Sequence, residues 1–225
     1  MKSTRRTALA AILSLGWLCM VPSLATAAEL RVEPLAEPAP SEGLSGEVAS
    51  ALATGGLKVL SGTSRTLCHL WLVKDAPLVE GFKPTSTVLY PFTPGQLLGV
   101  VEFRRKGGDF RGQEIEKGLY TLRYAQQPED GNHVGTSDTR DFIVLIKAED
   151  DKAPAVLPKE SLFRLSAAAA GTTHPCMLSF LAPAKDAKPS IENDAEKEWA
   201  ILQCGIGAKA GPVPVRLVIE GKSAE

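Results

Sequence analysis

The segment TLCHLWLV, residues 66–73, indicates a β-strand that lies in the middle of a sheet. Side chains alternate between the two faces of a strand, so Leu67 and Trp71 share one face while Cys68 and Leu70 share the other. Both faces are apolar apart from one histidine, which is typical of a strand that is covered on both sides. The chain is therefore expected to build a sheet with protein on each face.

The rest of the chain repeats this pattern of short apolar runs separated by turn residues. In VPVRLVIEG, residues 213–221, apolar and polar residues alternate, which indicates a strand with one buried face and one solvated face. Glycines at 107, 108 and 118 stand where a tight turn between antiparallel strands needs a positive φ. About nine strands are predicted, over residues 57–60, 66–73, 86–90, 96–104, 119–124, 142–146, 177–181, 199–204 and 213–219.

One clear helix interrupts the β pattern. Residues 161–170 are rich in alanine, Pro158 suits the first turn, and Gly171 is placed to end the helix. A shorter helical stretch is predicted at residues 47–53, and strands do not alternate with helices as they do in a parallel sheet. We therefore predict a mainly β chain, an antiparallel β-sandwich of about nine strands with one short helix, as a single domain over residues 47–225.

The N-terminus has the order of a cleavable export signal. A basic start with Arg5 and Arg6 precedes an apolar run at 8–24, and small residues follow at 25–27. The apolar run of about 17 residues is shorter than the roughly 20 that a membrane-spanning helix needs. A signal peptide is therefore predicted over residues 1–27, leaving a periplasmic or extracellular domain without a membrane span. The paired arginines leave the twin-arginine route open.

The chain after the predicted signal is acidic and begins with a proline-rich stretch. Removal of residues 1–27 takes away three positive charges and no negative ones, so the formal net charge changes from −1 to −4. Proteins that bind nucleic acids need clustered lysine and arginine to neutralise phosphates, so no nucleic-acid partner is expected. Residues 28–46 hold three prolines among acidic and small residues, which predicts a Pro-rich linker ahead of the domain.

Three cysteines remain after signal removal. In an oxidising compartment this odd number allows one disulfide and one thiol, or three thiols. Cys176 and Cys204 each lie in a short apolar segment and are the candidates for a disulfide, which would close a loop of about 29 residues. Cys68 is expected to be a buried thiol.

The most polar part of the chain is the long loop at residues 126–141, between two predicted strands. Loops of this length are uncommon in compact domains and are often functional. One interpretation is a ligand or calcium site, although the spacing of the oxygen ligands differs from that of an EF-hand. The other is a structural loop whose side chains bond its own backbone. The oxygen ligands available for calcium are Glu129, Asp130, Asn132, Asp138 and Asp141.

A longer segment that contains this loop has a familiar pattern. DFRGQEIEKGLYTLRYAQQPEDGNHVGTSDTRDFIVLI, residues 109–146, joins a glycine-x-tyrosine strand, a QQPxDGNHxG loop and an RDF strand. It resembles a recurring feature of an uncharacterised family of secreted bacterial β-domain proteins. The resemblance implies an exported β domain and no particular activity. The candidate binding residues that it implies are Gln127, Asp130, Asn132, His133, Arg140 and Asp141.

No motif in the sequence carries a defined chemistry. The chain lacks a GxSxG elbow, a CxxC pair and an HExxH motif, so no catalytic residue, cofactor or resident metal is predicted. The function predicted is a non-catalytic binding or accessory module that uses the loop at 126–141 to bind a protein or a small molecule. The alternatives are a metal-binding protein, with calcium at the acidic loop or copper or zinc held by Cys and His, and a hydrolase with an unrecognised site.

Overall fold

The computed structural model describes residues 29–130 and 137–223, and the predicted signal peptide lies outside these ranges. Its strands are β1 (Leu30–Leu35), β2 (Gly56–Ser61), β3 (Arg65–Leu72), β4 (Leu97–Phe103), β5 (Gly107–Gly108), β6 (Glu114–Ile115), β7 (Gly118–Gln126), β8 (Asp141–Lys147), β9 (Met177–Leu181), β10 (Ser190–Asp194), β11 (Trp199–Ile206) and β12 (Val213–Glu220).

Ten of these strands form one antiparallel sheet that is nearly closed into a barrel. Its order is β1-β2-β3-β4-β7-β8-β9-β12-β11-β10, and β5 pairs separately with β6. The predicted mainly β, antiparallel fold is therefore confirmed. A single curved sheet takes the place of the two packed sheets of a sandwich.

The interior of the barrel is apolar and filled by side chains. Tyr120, Leu122 and Tyr124 of β7 are buried in the interior cluster, as the alternation of side chains along a strand requires. Leu122 lies opposite Leu145 of β8, and Tyr124 lies opposite Ile143. Burying a large apolar side chain contributes roughly 1.5–3 kcal/mol. The summed burial is the main force that closes the sheet.

The two edge strands, β1 and β10, meet through one side chain. The side-chain amide of Asn193 accepts a hydrogen bond from the Leu30 backbone N–H (3.2 Å) and donates one to the Leu30 carbonyl (3.1 Å). This pair of bonds is the kind that a neighbouring strand would make. Pro34 and the charged residues Arg31 and Glu33 occupy β1 beyond this point, which makes the edge unsuited to pairing with another chain.

Two helices are present in the described part of the chain, α1 (Gly46–Ala51) and α2 (Lys159–Ala170). The predicted helix is α2, and Gly171 ends it in the left-handed conformation with φ of 66°. Leu162 of α2 packs against the outer face of β8. The alanine-rich helix is therefore confirmed, and it covers this side of the barrel. The outward β8 side chains beneath it are Phe142, Val144 and Ile146.

One end of the barrel is filled by part of the connection between β3 and β4, residues 85–92, which we name the plug segment. The ring of Tyr90 is buried 4.7 Å from the ring of Phe180, measured between centroids. The Tyr90 hydroxyl donates a hydrogen bond to the Leu181 carbonyl (2.7 Å) and accepts one from the Arg216 N–H (3.2 Å). β9 and β12 pair at two positions, and the Tyr90 hydroxyl bridges the two strands at one of them, between Leu181 and Arg216.

The prediction of a strand at residues 86–90 is wrong. The backbone N–H of Leu89 donates to the carboxylate of Asp141 (2.7 Å), and the segment belongs to no sheet. A side chain therefore takes the place of a neighbouring strand as the bonding partner. The apolar pattern of this segment reflects burial in the barrel end, which periodicity alone does not distinguish from sheet pairing.

The sheet extends into the predicted Pro-rich linker at residues 28–46. Leu30 is buried, and β1 pairs with β2 along its whole length, so this part of the segment is not a linker.

The strand β10 is likewise absent from the predicted strands. Both β1 and β10 are edge strands with proline or polar residues, and such strands carry a weak alternation of apolar residues.

All three cysteines of the described chain are buried free thiols, so the predicted disulfide between Cys176 and Cys204 is not formed. Cys176 directly precedes β9, Cys204 lies on β11, and β12 stands between these strands. Two strand spacings amount to roughly 9–10 Å, whereas the Cα atoms of a disulfide lie within about 7 Å. Burial raises the pKa of Cys68 and of Cys204 to about 12, so both thiols stay protonated near neutral pH.

The outer face of β7 carries a fully buried arginine. Nε and Nη2 of Arg123 donate to the two carboxylate oxygens of Asp151, each at 2.7 Å. The other donors reach the carbonyl oxygens of Gly95 (2.8 Å), Ala153 (2.5 Å) and Ala155 (2.6 Å). All five N–H groups of the guanidinium are thus satisfied. We name this arrangement the Arg123 fork.

The fork holds the connection between β8 and α2, residues 148–158, which we name the strap. The Thr121 hydroxyl adds a hydrogen bond to Asp151 (2.5 Å), and the Leu157 N–H donates to the Gly95 carbonyl (3.2 Å). Gly95 has φ of 89°, and a Cβ there would lie 2.1 Å from the Leu157 carbonyl oxygen, so only glycine fits. The strap and the turn at Gly95 are therefore fixed to β7 and to each other.

Replacing Arg123 by methionine should be strongly destabilising. Arg123→Met leaves the buried Asp151 without a cation, and breaking a buried ion pair costs about 3–5 kcal/mol in the free energy of unfolding. Urea denaturation measures this change. Lys106→Met is the control, because Lys106 pairs with Glu114 (2.5 Å) at the surface, where ion pairs contribute little. Equal effects of the two substitutions would contradict the structural role of the fork.

Candidate functional site

The structure brings the predicted binding residues Gln127 and Arg140 together and separates Asp141 from them. The Gln127 N–H donates to the Arg140 carbonyl (2.8 Å), and Nε of Arg140 donates to the Gln127 carbonyl (2.8 Å). Asp141 belongs to β8 and is buried. Of the six candidates, the described residues are Gln127, Asp130, Arg140 and Asp141, whereas Asn132 and His133 lie outside the described ranges.

Arg140 is held at the surface with part of its guanidinium accessible. Its backbone N–H donates to the Thr87 carbonyl (2.7 Å), which ties it to the plug segment. Nη1 forms an ion pair with Glu129, and 26% of the Arg140 side chain is exposed. Groups of the described chain use two of the five N–H donors of its guanidinium. The other three donors have no hydrogen-bond partner among the residues that the structure describes.

Asp141 has a different role, because its carboxylate is buried at the plugged end of the barrel. The Leu89 N–H donates to one oxygen (2.7 Å), and the Tyr124 hydroxyl donates to the other. Burial raises the pKa of Asp141 above its ordinary value, although hydrogen bonds from Tyr124 and from the amides of Leu89 and Tyr90 oppose this shift. The side chain thus anchors the plug segment and offers no surface to a ligand.

A groove of about 180 Å³ lies between the start of this loop and α2. Lys159, Leu162 and Phe163 share one face of α2, because residues three and four apart are neighbours on a helix. We name this feature the Arg140 groove. It is lined by Pro94, Ala125, Gln126, Gln127, Pro128, Arg140, Lys159, Leu162 and Phe163.

The groove combines two cations with apolar walls. Among the described residues, Arg140 and Lys159 are its only charged lining residues, and Gln126 and Gln127 are polar lining residues. Guanidinium and ammonium groups beside apolar surface favour an anion that also carries an apolar group. Within the same described ranges, the lining contains no pair of carboxylates and no nucleophile beside a base.

A second depression is larger and differs in charge. It measures about 290 Å³ and includes Lys117 and Lys147 together with Glu116 and Glu149. All four of these residues are exposed, and their charges balance. Opposite charges in one depression attract neither sign of ligand strongly, so we favour the Arg140 groove.

The sequence did not identify the helix side or the turn side of this groove. Pro94 follows the plug segment, while Lys159 and Phe163 lie on α2, and these parts are far from residue 140 in the chain. The spacing of Lys159, Leu162 and Phe163 on one helix face was the available signal. The fold was needed to place that face against the loop.

The ligands that the alternative of a metal-binding protein would use are not clustered in the described part of the chain, where no three His, Cys, Asp or Glu residues are placed to hold an ion. Cys68 is buried in the interior cluster, whereas His69 lies beside Glu102, 3.5 Å between Nδ1 and Oε2. Cys176 is buried while His174 is exposed. Part of the predicted calcium loop lies outside the described residues.

Comparisons with known proteins identify no relative. No protein-family model, curated protein or solved structure matches the chain. Across the described residues, no helix combines the length and the apolar character that crossing a membrane requires.

The buried carboxyl of Asp141 should make stability depend on pH. Because its pKa is raised in the folded protein, the folded chain binds this proton more tightly than the unfolded chain does. The resulting stability is present below the unfolded pKa of about 3.9 and is lost as the pH rises through the folded pKa. Asp141→Asn removes this titration, so the variant should gain stability relative to wild type as the pH rises. Urea denaturation at several pH values measures the difference, and a constant difference would contradict the assignment.

Proposed function

We propose that the protein is an exported, non-catalytic binding module that captures an anionic ligand in the Arg140 groove. The observation that carries the proposal is that Arg140 and Lys159 line one depression of about 180 Å³ together with apolar residues. Export rests on the N-terminal sequence, with its basic start, apolar run and small residues before position 28.

The construction of the groove suits binding by a preformed site. The wall that contains Pro94 is next to Gly95, and the wall formed by α2 follows the strap. Gly95 and the strap are both hydrogen-bonded to Arg123. Arg140 is fixed through its backbone bond to Thr87 and through the bond from Nε to Gln127. A site held in this way loses little conformational entropy when a ligand binds.

The ligand should carry negative charge, because both charged groups of the described lining are cations. Without residues 1–27, the chain has a formal net charge of −4, which is opposite in sign to the charge of the groove. Local charge in the groove, rather than the charge of the whole protein, would therefore select the ligand.

Charge reversal at Lys159 tests the proposal. Lys159→Glu places an acid in the first turn of α2, where it interacts favourably with the helix dipole, so folding should be unharmed. Amide chemical shifts would be recorded during titration with a set of carboxylates, phosphates and sulfates and their neutral analogues. At least one anion should shift Ala125, Gln126 and Leu162 saturably, and Lys159→Glu should weaken this at least tenfold.

Lys209→Glu is the matched control, because it makes the same charge change at an exposed residue outside the groove. It should leave the titration unchanged. The proposal fails if no anion binds in the groove, or if both variants bind anions as wild type does.

A further inference from the structure

Building on the proposed function, we propose that the Arg140 groove recognises a monocarboxylate that carries one apolar group, such as an N-acylated hydrophobic amino acid or the C-terminal residue of a peptide. Recognition would use the guanidinium of Arg140 and the ammonium of Lys159 for the carboxylate. The apolar group would lie against Phe163 and Pro94.

The charged residues of the groove favour a ligand with a single negative charge. Arg140 and Lys159 supply two positive charges, and the exposed carboxylate of Glu129 already pairs with Arg140. The remaining charge matches a carboxylate better than a dianionic phosphate, for which Glu129 would be repulsive. Among the described residues, no group bonds the other three N–H donors of the Arg140 guanidinium, whose planar arrangement suits a carboxylate.

Size limits the apolar group to about one residue. Drug-sized ligands occupy pockets of roughly 300–1,000 Å³, and the groove measures about 180 Å³. Its apolar lining comes from three directions, with Pro94 on the turn, Ala125 on β7 and Phe163 on α2.

The test compares matched probes on the full folded protein by amide chemical shifts. N-acetyl-leucine should bind saturably in the groove, while acetate, which lacks the apolar group, and N-acetyl-leucinamide, which lacks the charge, should each bind at least tenfold more weakly. Phosphate should also bind more weakly. An N-acetyl tripeptide ending in leucine identifies the source: binding as tight as N-acetyl-leucine supports a peptide C-terminus, and binding of N-acetyl-leucine alone supports a small acid.

Phe163→Ala separates the apolar contact from the charge. This variant should bind N-acetyl-leucine at least fivefold more weakly than wild type while binding acetate equally, with its unfolding curve recorded to verify the fold. Equal binding of acetate and N-acetyl-leucine, or tighter binding of phosphate, overturns this inference but leaves anion binding in place. Absence of all anion binding overturns the proposed function as well.

Discussion

The guanidinium of Arg123 is the constraint on which the outer side of the barrel depends. It extends from β7 and bonds to the turn through the Gly95 carbonyl and to the strap through Asp151 and two backbone carbonyls. A buried charge is tolerable only when it is paired and its remaining hydrogen-bonding groups are satisfied. Formation of the fork therefore requires the strap and the turn to be in place, and both lead directly into the walls of the Arg140 groove.

The interior of the barrel depends on a second set of polar contacts, at the end that the plug segment fills. Asp141 holds the backbone of the plug segment, and the hydroxyl of Tyr90 links β9 to β12. Asp141 and Arg140 are neighbours in sequence but point to opposite sides, since successive side chains of a strand alternate. Asp141 thus anchors the plug segment inside the barrel, and Arg140 lines the Arg140 groove outside it.

The sequence predicted those elements whose pattern is set by local burial. Eight predicted strands and α2 are present, because alternation along VPVRLVIEG and the alanine run before Gly171 report directly on local structure. The edge strands β1 and β10 were missed, since Pro34 and charged residues mask their pattern. Part of the plug segment was predicted as a strand because it contains a short apolar run, but the segment pairs with no strand of the sheet.

The site was only half predictable for a similar reason. Arg140 and Gln127 stood out in a polar loop, but nothing in the spacing indicated that Asp141 would turn inward or that Lys159 and Phe163 would face the loop. Arg123 is a polar residue within the predicted strand at residues 119–124. Its burial depends on Asp151 and on carbonyls from distant segments, which only the assembled fold brings together.

The Arg123 fork positions the groove, and hydrogen exchange of the Arg123→Lys variant is the measurement that tests this role. Lysine keeps the charge but lacks the planar set of five donors, so it cannot bond to Asp151 and the carbonyls of the strap and turn together. Amides of residues 95–97 and the non-proline amides of residues 153–163 should lose protection, while those of β8 and β11 keep theirs. Unchanged protection in these two segments would contradict the account.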